Sequence, residues 1–247
     1  MDQYRLKQYM SANPDEKLRD IVAKLLYEDI INLRIRPGTK LNVNQMASEL
    51  GISRTPVSEA VAYLTDIGFV VQYDGQNGSY VLSLDMSDMI NLYRVREAIE
   101  SEAAALCAHT VDEEIIYRLN NLADAFKVSV LKRDIQGMKD TDMPFHRLII
   151  GSCGNPYIVS CYEHILPRLT MYQSSMLNFI MKEDSKKNPW MPNVVYNHTS
   201  ILAAIRMRMP ELARKAMSDH VDASLSFISL SGGGNRSPFD DIAVIPG

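Results

Sequence analysis

Apolar residues recur along this chain mostly with the period of a helix. Leu18, Ile21, Val22, Leu25, Leu26 and Ile30 follow Pro14-Asp15 at i, i+3, i+4 spacing, an amphipathic helix closed by Pro37-Gly38. Asn42 is placed to cap a second short helix, VNQMASEL, with Gln45 in the capping-box position and Gly51 as its stop. Ser53 is placed to cap a third, which tolerates Pro56 because the first turn needs no intrahelical N–H bond there. Phe69, Val70, Val71 and Tyr80, Val81, Leu82 then flank a polar turn, which predicts a two-stranded hairpin. Three helices, a tight glycine turn between the last two, and a hairpin are the order of a winged helix-turn-helix.

Beyond residue 85 the pattern is helical throughout. Six helices are predicted, near 86–109, 112–133, 135–152, 155–180, 193–208 and 210–230. Pro156, Pro192 and Pro210 lie near starts, and Pro167 should bend the fourth. The polar stretch MKEDSKKNPWMP reads as a surface loop, and SGGGNRSPFDDIAVIPG as a flexible tail. The expected fold is mainly α, with a winged helix-turn-helix over 1–84, an all-α six-helix bundle over 85–230 and a tail over 231–247.

Composition narrows the function classes. The chain has 247 residues, 46% of them hydrophobic and 23% charged, enough to bury a core. No apolar run reaches the roughly 18 residues of a membrane span, and the polar N-terminus lacks a signal-peptide core, so a cytoplasmic protein without a membrane partner is expected. The three cysteines show no CxxC spacing, which argues against a disulfide framework or a zinc knuckle. A net charge of −4 excludes a uniformly basic nucleic-acid coat but not a local DNA-reading surface. Within 34–58, Arg34, Arg36, Lys40 and Arg54 face only Glu49.

The segment LRIRPGTKLNVNQMASELGISRTPVSEAVAYLTDIGFV, at 33–70, resembles the DNA-binding domain of GntR-type bacterial transcription regulators. The shared features are the PG turn, Leu41, the LGISRTPVSEA block and the GFV that follows. The resemblance implies a double-stranded DNA operator. Arg54, in the first turn of the recognition helix, is then suited to a bidentate pair with guanine, and Arg34 and Lys40 to phosphates. Ser53 and Thr55 are short phosphate donors. Ser58 occupies a position where family members usually carry arginine, so one phosphate or base contact expected from the family is absent there, which bears on the operator sequence more than on binding itself.

The second half holds all five histidines, and three of them fall into a pattern. Asp142 and His146 are four apart, on one face of one helix. His198 and His220 lie twelve residues before and ten after Pro210, so an antiparallel helical hairpin returns them to nearly the same level. One carboxylate and three imidazoles can then converge on a divalent first-row metal, with zinc the first expectation and nickel or manganese the alternatives. His109 and His164 have no partner at ligand spacing.

DMPFHRLIIGSCGNPYI, NHTSILAAI, MSDHV and RVREAIESEAAALCA look like segments of the FCD ligand-binding domain found in one branch of GntR-type regulators. That resemblance implies that Asp142, His146, His198 and His220 hold the ion and that a small organic acid completes its shell. Arg96, in an R-x-x-x-E pattern with Glu100, is a candidate for the acid's carboxylate or else a partner of Glu100 alone. The expected function is a homodimeric, ligand-responsive transcription regulator and not an enzyme. The alternatives are a metal-dependent enzyme acting on a small carboxylate, which lacks an evident general base beside the metal motif, and an architectural DNA binder.

Overall fold

The computed structural model describes residues 2–73, 77–182 and 190–231. They fall into two compact units, one of Met1–Asp85 with the short stretch Thr170–Ser174, the other of Met86–Leu169 with the described residues from Ser175 onward.

The first unit begins with a helix that apolar periodicity does not reveal, α1 (Gln3–Ala12). Asp2 caps it by accepting from the Arg5 N–H at 2.8 Å, and Leu6 is its one buried residue. Helix α2 (Leu18–Ile31) buries Ile21, Val22, Leu25, Leu26 and Ile30. It ends six residues before Pro37, because Leu33 turns the chain through a left-handed conformation at φ 57°. Strand β1 (Lys40–Leu41) leads into α3 (Val43–Leu50), where Asn42 Oδ1 accepts from Gln45 N at 3.1 Å. The capping box is half-made, since the Gln45 side chain donates to Glu49 at 2.9 Å rather than back to Asn42.

Gly51 closes α3 at φ 67°, and a Cβ there would meet Gln3 Nε2 of α1 at 2.8 Å, so the tight turn is the place where α1 lies against the helix-turn-helix. Helix α4 (Arg54–Asp66) follows. Ser53 stands at its N-cap without a side-chain capping bond. Strands β2 (Val70–Val71) and β3 (Ser79–Val81) pair as expected, and β1 adds to the other side of β3, so the wing has three strands in the order β1-β3-β2. Lys40 pairs with Tyr80 and Val70 with Val81.

The second unit contains six helices among the described residues: α5 (Met86–Thr110), α6 (Glu113–Lys132), α7 (Ile135–Ser152), α8 (Pro156–Lys182), α9 (Trp190–Arg206) and α10 (Pro210–Ser231). Asp112 and Asp134 cap α6 and α7, each accepting the backbone N–H three residues on. Helix α9 begins at Trp190 rather than 193, inside the stretch expected to be a loop, while 183–189 and the expected tail beyond 231 lie outside the described residues. Helix α10 packs against α5 and α9, and α7 against α5 and α6. Ser218 Oγ donates to Glu97 at 2.6 Å, and Arg214 pairs with Glu102, tying α10 to α5. Cys107, Cys153 and Cys161 are free thiols. No helix among the described residues is long and apolar enough to cross a membrane.

What holds α1 in place is electrostatic. Arg5 pairs with Asp29 and, at 2.7 Å, with Glu28 of α2, while the Tyr9 hydroxyl donates to Glu28. Asp29 is only 1% exposed and also accepts from Arg34 Nε at 2.7 Å. Burial pushes its carboxyl up, but the hydrogen bonds and charges of the two arginines outweigh burial and hold it below the usual carboxylate range. A carboxyl depressed in the folded state adds stability that is present above its unfolded value, about 3.9, and is lost as pH falls through the folded value. Asp29→Asn should therefore destabilise the protein by roughly 1–3 kcal/mol at neutral pH. Its deficit relative to wild type should shrink below about pH 4 in urea denaturation, whereas a deficit that does not vary with pH contradicts the account.

Candidate metal centre and DNA-reading face

Helix α4 buries Val57, Ala60, Val61 and Leu64 and leaves Ser53, Arg54, Thr55 and Ser58 exposed on its other side. Four residues expected at DNA therefore share the solvent face of one helix and its cap. Arg54 is lightly held, with Nη1 3.3 Å from Asn44 Oδ1 on α3. Arg34 is anchored through Nε to the buried Asp29, and its side chain is half exposed. Lys40 lies on the wing, with Nζ 5.6 Å from the centre of the Tyr80 ring.

In the second unit, Asp142 and His146 project from α7, His198 from α9 and His220 from α10. Pro144 sits between the first two and removes one intrahelical donor from that turn. The α9–α10 connection is three residues long. Arg208 takes the left-handed conformation at φ 53°, and Met209 N donates to Ala204 O at 3.0 Å. This tight reversal sets His198 beside His220, with ring centres 4.8 Å apart.

One ligand atom from each of the four side chains lies within 4.8 Å of the others, and all four side chains are buried. His198 Nε2 is 3.1 Å from Asp142 Oδ1 and 3.4 Å from His146 Nε2. His146 Nε2 is 3.9 Å from the same carboxylate oxygen. The His146 and His220 rings stack with centres 5.0 Å apart, and Phe145 and Phe126 pack edge-on against His198. His109 and His164 are exposed and stand outside the cluster.

The electrostatics suit a cation. Burial, then the neighbouring imidazoles and Arg96, push His220 well below its ordinary value; burial also lowers His198, against the pull of Asp142. Burial would raise the Asp142 carboxyl, but the His198 hydrogen bond and the surrounding imidazoles hold it far below the carboxylate range. An ionised carboxylate and neutral imidazoles with available lone pairs are what a metal requires of its ligands. The Nδ1 atoms of His198 and His220 are buried without a hydrogen-bond partner, as are Arg96 Nη2 and the Tyr162 hydroxyl.

Arg96 is 4% exposed and donates through Nε to Glu100 Oε1 at 2.7 Å, so its bond within the helix forms. The other Glu100 oxygen lies 2.5 Å from His146 Nδ1, a close polar contact rather than an aligned hydrogen bond. Periodicity and ligand spacing gave no sign of that contact, nor of Tyr162. The available signal was an Arg and a Glu one turn apart on the buried face of an alanine-rich helix.

The chain matches two family models, the FCD domain over residues 91–223 and bacterial regulatory proteins of the gntR family over 18–81. It is 25% identical over 209 residues to the HTH-type transcriptional repressor RspR of Escherichia coli strain K12, covering 85% of this chain and 88% of RspR, so the likeness takes in both units. The gluconate operon transcriptional repressor of Bacillus licheniformis is 24% identical, with 78% of this chain and 77% of that protein covered. The solved structure of E. coli McbR/YncC superposes with a TM-score of 0.70 over 88% of this chain and 99% of that one. A putative GntR transcriptional regulator from Rhodococcus sp. RHA1 gives 0.64 over 88% and 99%. At 18% and 20% identity these two likenesses speak for the fold alone.

A donor set of this kind predicts a metal-dependent stability. A divalent cation at a hundred times its dissociation constant should stabilise the folded protein by about 2.7 kcal/mol, and a chelator should reverse the gain. Thermal denaturation with zinc, nickel or manganese and then with EDTA measures this; melting unaffected by any of them would contradict a metal-competent cluster.

Proposed function

We infer, from the premise that this chain belongs to the gntR family of bacterial regulatory proteins and carries an FCD domain, that its bundle binds a divalent metal and a small organic acid and thereby sets its grip on DNA. The relatives it matches are transcription regulators, and it is a transcription regulator rather than an enzyme. The observation that carries the sensing half of the reading is the convergence of one carboxylate and three imidazoles inside a closed helical bundle.

Asp142, His146, His198 and His220 would hold the metal, with zinc first from its availability and affinity for imidazole, and nickel or manganese as alternatives. The ion would supply a Lewis-acidic point for the oxygens of an acid. Arg96 keeps Nη2 buried and unpaired while Nε is engaged by Glu100, which leaves a donor edge for a carboxylate. Its charge also depresses His198 and His220, so it belongs to the same electrostatic neighbourhood. The name of the Bacillus relative, a gluconate operon repressor, supports a hydroxy or sugar acid as the class to test first.

On the DNA side, Arg54 would read base edges in the major groove, with Ser53, Thr55 and Ser58 beside it on the same face. Arg34 and Lys40 would contact phosphates. A cytoplasmic homodimer would read a palindromic operator whose half-site spacing follows from the protein's two-fold axis, so a change of a few Å between recognition helices would alter affinity.

Arg54→Ala should weaken operator binding by about 1–3 kcal/mol without loss of fold, and wild-type affinity in a salt titration would contradict its place at the bases. Arg34→Ala should instead weaken all sequences and reduce the salt slope by about one. A thermal-shift screen of metal-loaded protein against small carboxylates tests the sensor. The expected result is stabilisation by a subset of acids that is lost in His198→Ala and in Arg96→Ala; equal stabilisation of both variants would contradict the assignment.

A further inference from the structure

Glu100 lies outside the four candidate ligands, yet it is fully buried on α5 and uses its two oxygens in opposite directions. Oε1 accepts from Arg96 Nε at 2.7 Å, and Oε2 sits 2.5 Å from His146 Nδ1. The other ring nitrogen of His146 is the one that faces His198 Nε2 and Asp142. Of the three imidazoles, His146 is the one whose outer nitrogen lies within 2.5 Å of a protein carboxylate, although none of the three Nδ1 atoms makes an aligned hydrogen bond.

We propose that Glu100 is the positioning residue of the metal centre, fixing the His146 ring from behind while Arg96 fixes Glu100. The inference rests on the metal reading given above. A carboxylate beside Nδ1 selects the tautomer with its proton on that nitrogen, which leaves the Nε2 lone pair directed at the cluster. It also makes the imidazole a stronger donor and limits rotation of the ring. Arg96 has a matching part, because an ionised Glu100 without a neighbouring cation would be an uncompensated buried charge. The chain Arg96–Glu100–His146 thus couples α5 to a ligand on α7 through two short polar contacts.

Removing an outer partner of a metal-bound histidine typically weakens metal affinity 10–100-fold. The test compares wild type with Glu100→Gln, which keeps the size and an acceptor oxygen, and with the double variant Arg96→Gln/Glu100→Gln, which removes both buried charges together. Zinc affinity is measured by competition with a chromophoric chelator, and the visible absorption of the cobalt-loaded proteins reports the ligand field. The expected result is that both variants bind zinc about 10–100-fold more weakly and shift the cobalt band to a similar extent, because Arg96 acts through Glu100. Wild-type affinity in both variants overturns the proposal. So does weaker binding with an unshifted band, because a general loosening of the bundle lowers affinity without turning the His146 ring. Wild-type protein that takes up neither zinc nor cobalt refutes the metal reading itself, an outcome distinct from failure of the role assigned to Glu100.

Discussion

Burying ionisable side chains inside a helical bundle is the constraint on which the second unit depends. Asp142, His146, His198 and His220 are all buried, with two imidazole nitrogens 3.4 Å apart and a carboxylate oxygen 3.1 Å from one of them. Buried charges are costly unless paired or bound to a metal. In this set the carboxyls of Asp142 and Glu100 are both held below the usual carboxylate range beside the one guanidinium of Arg96, an imbalance of negative over positive side chains. A divalent cation reverses it. The same donor cluster that burdens an apolar bundle is therefore what the proposed function uses to hold a metal.

The helical scaffold determines whether those four side chains can meet. The i, i+4 step of α7 brings Asp142 and His146 to one face, the three-residue reversal before Pro210 brings His198 and His220 together, and the packing of α10 on α5 and α9 closes the site. In the first unit the exposed face of α4, proposed to read DNA, is likewise a by-product of burial. Val57, Ala60, Val61 and Leu64 turn one side of α4 inward, and Arg54, Thr55 and Ser58 are left outward.

The parts legible in the sequence were those with a strong period or a fixed spacing. Helices α2 to α4, the wing hairpin and the six helices of the bundle announced themselves by apolar recurrence, and the convergence of the four ligands was readable from helical geometry. Helix α1 was not, because it buries only Leu6 and is held by Arg5 and Tyr9 through contacts to Glu28 and Asp29 more than eighteen residues away. Strand β1 is two residues long, too short for alternation to show. Glu100 could be read as an i+4 partner of Arg96, but its second contact crosses from α5 to α7, and no local spacing encodes that. Ser53 shows the opposite case: a residue type suited to capping that stands at the cap position without making the bond.

The central claim is that the buried Asp/His cluster is the sensor that governs DNA affinity. The most direct measurement is operator binding by fluorescence anisotropy at fixed salt, for metal-loaded and chelated protein, across a series of small hydroxy and sugar acids. The account predicts that at least one acid changes the operator affinity of the loaded protein by roughly 5–150-fold, the range of ordinary allosteric coupling. It also predicts that the change disappears once the metal is removed. An acid response of equal size in the chelated protein would contradict the account.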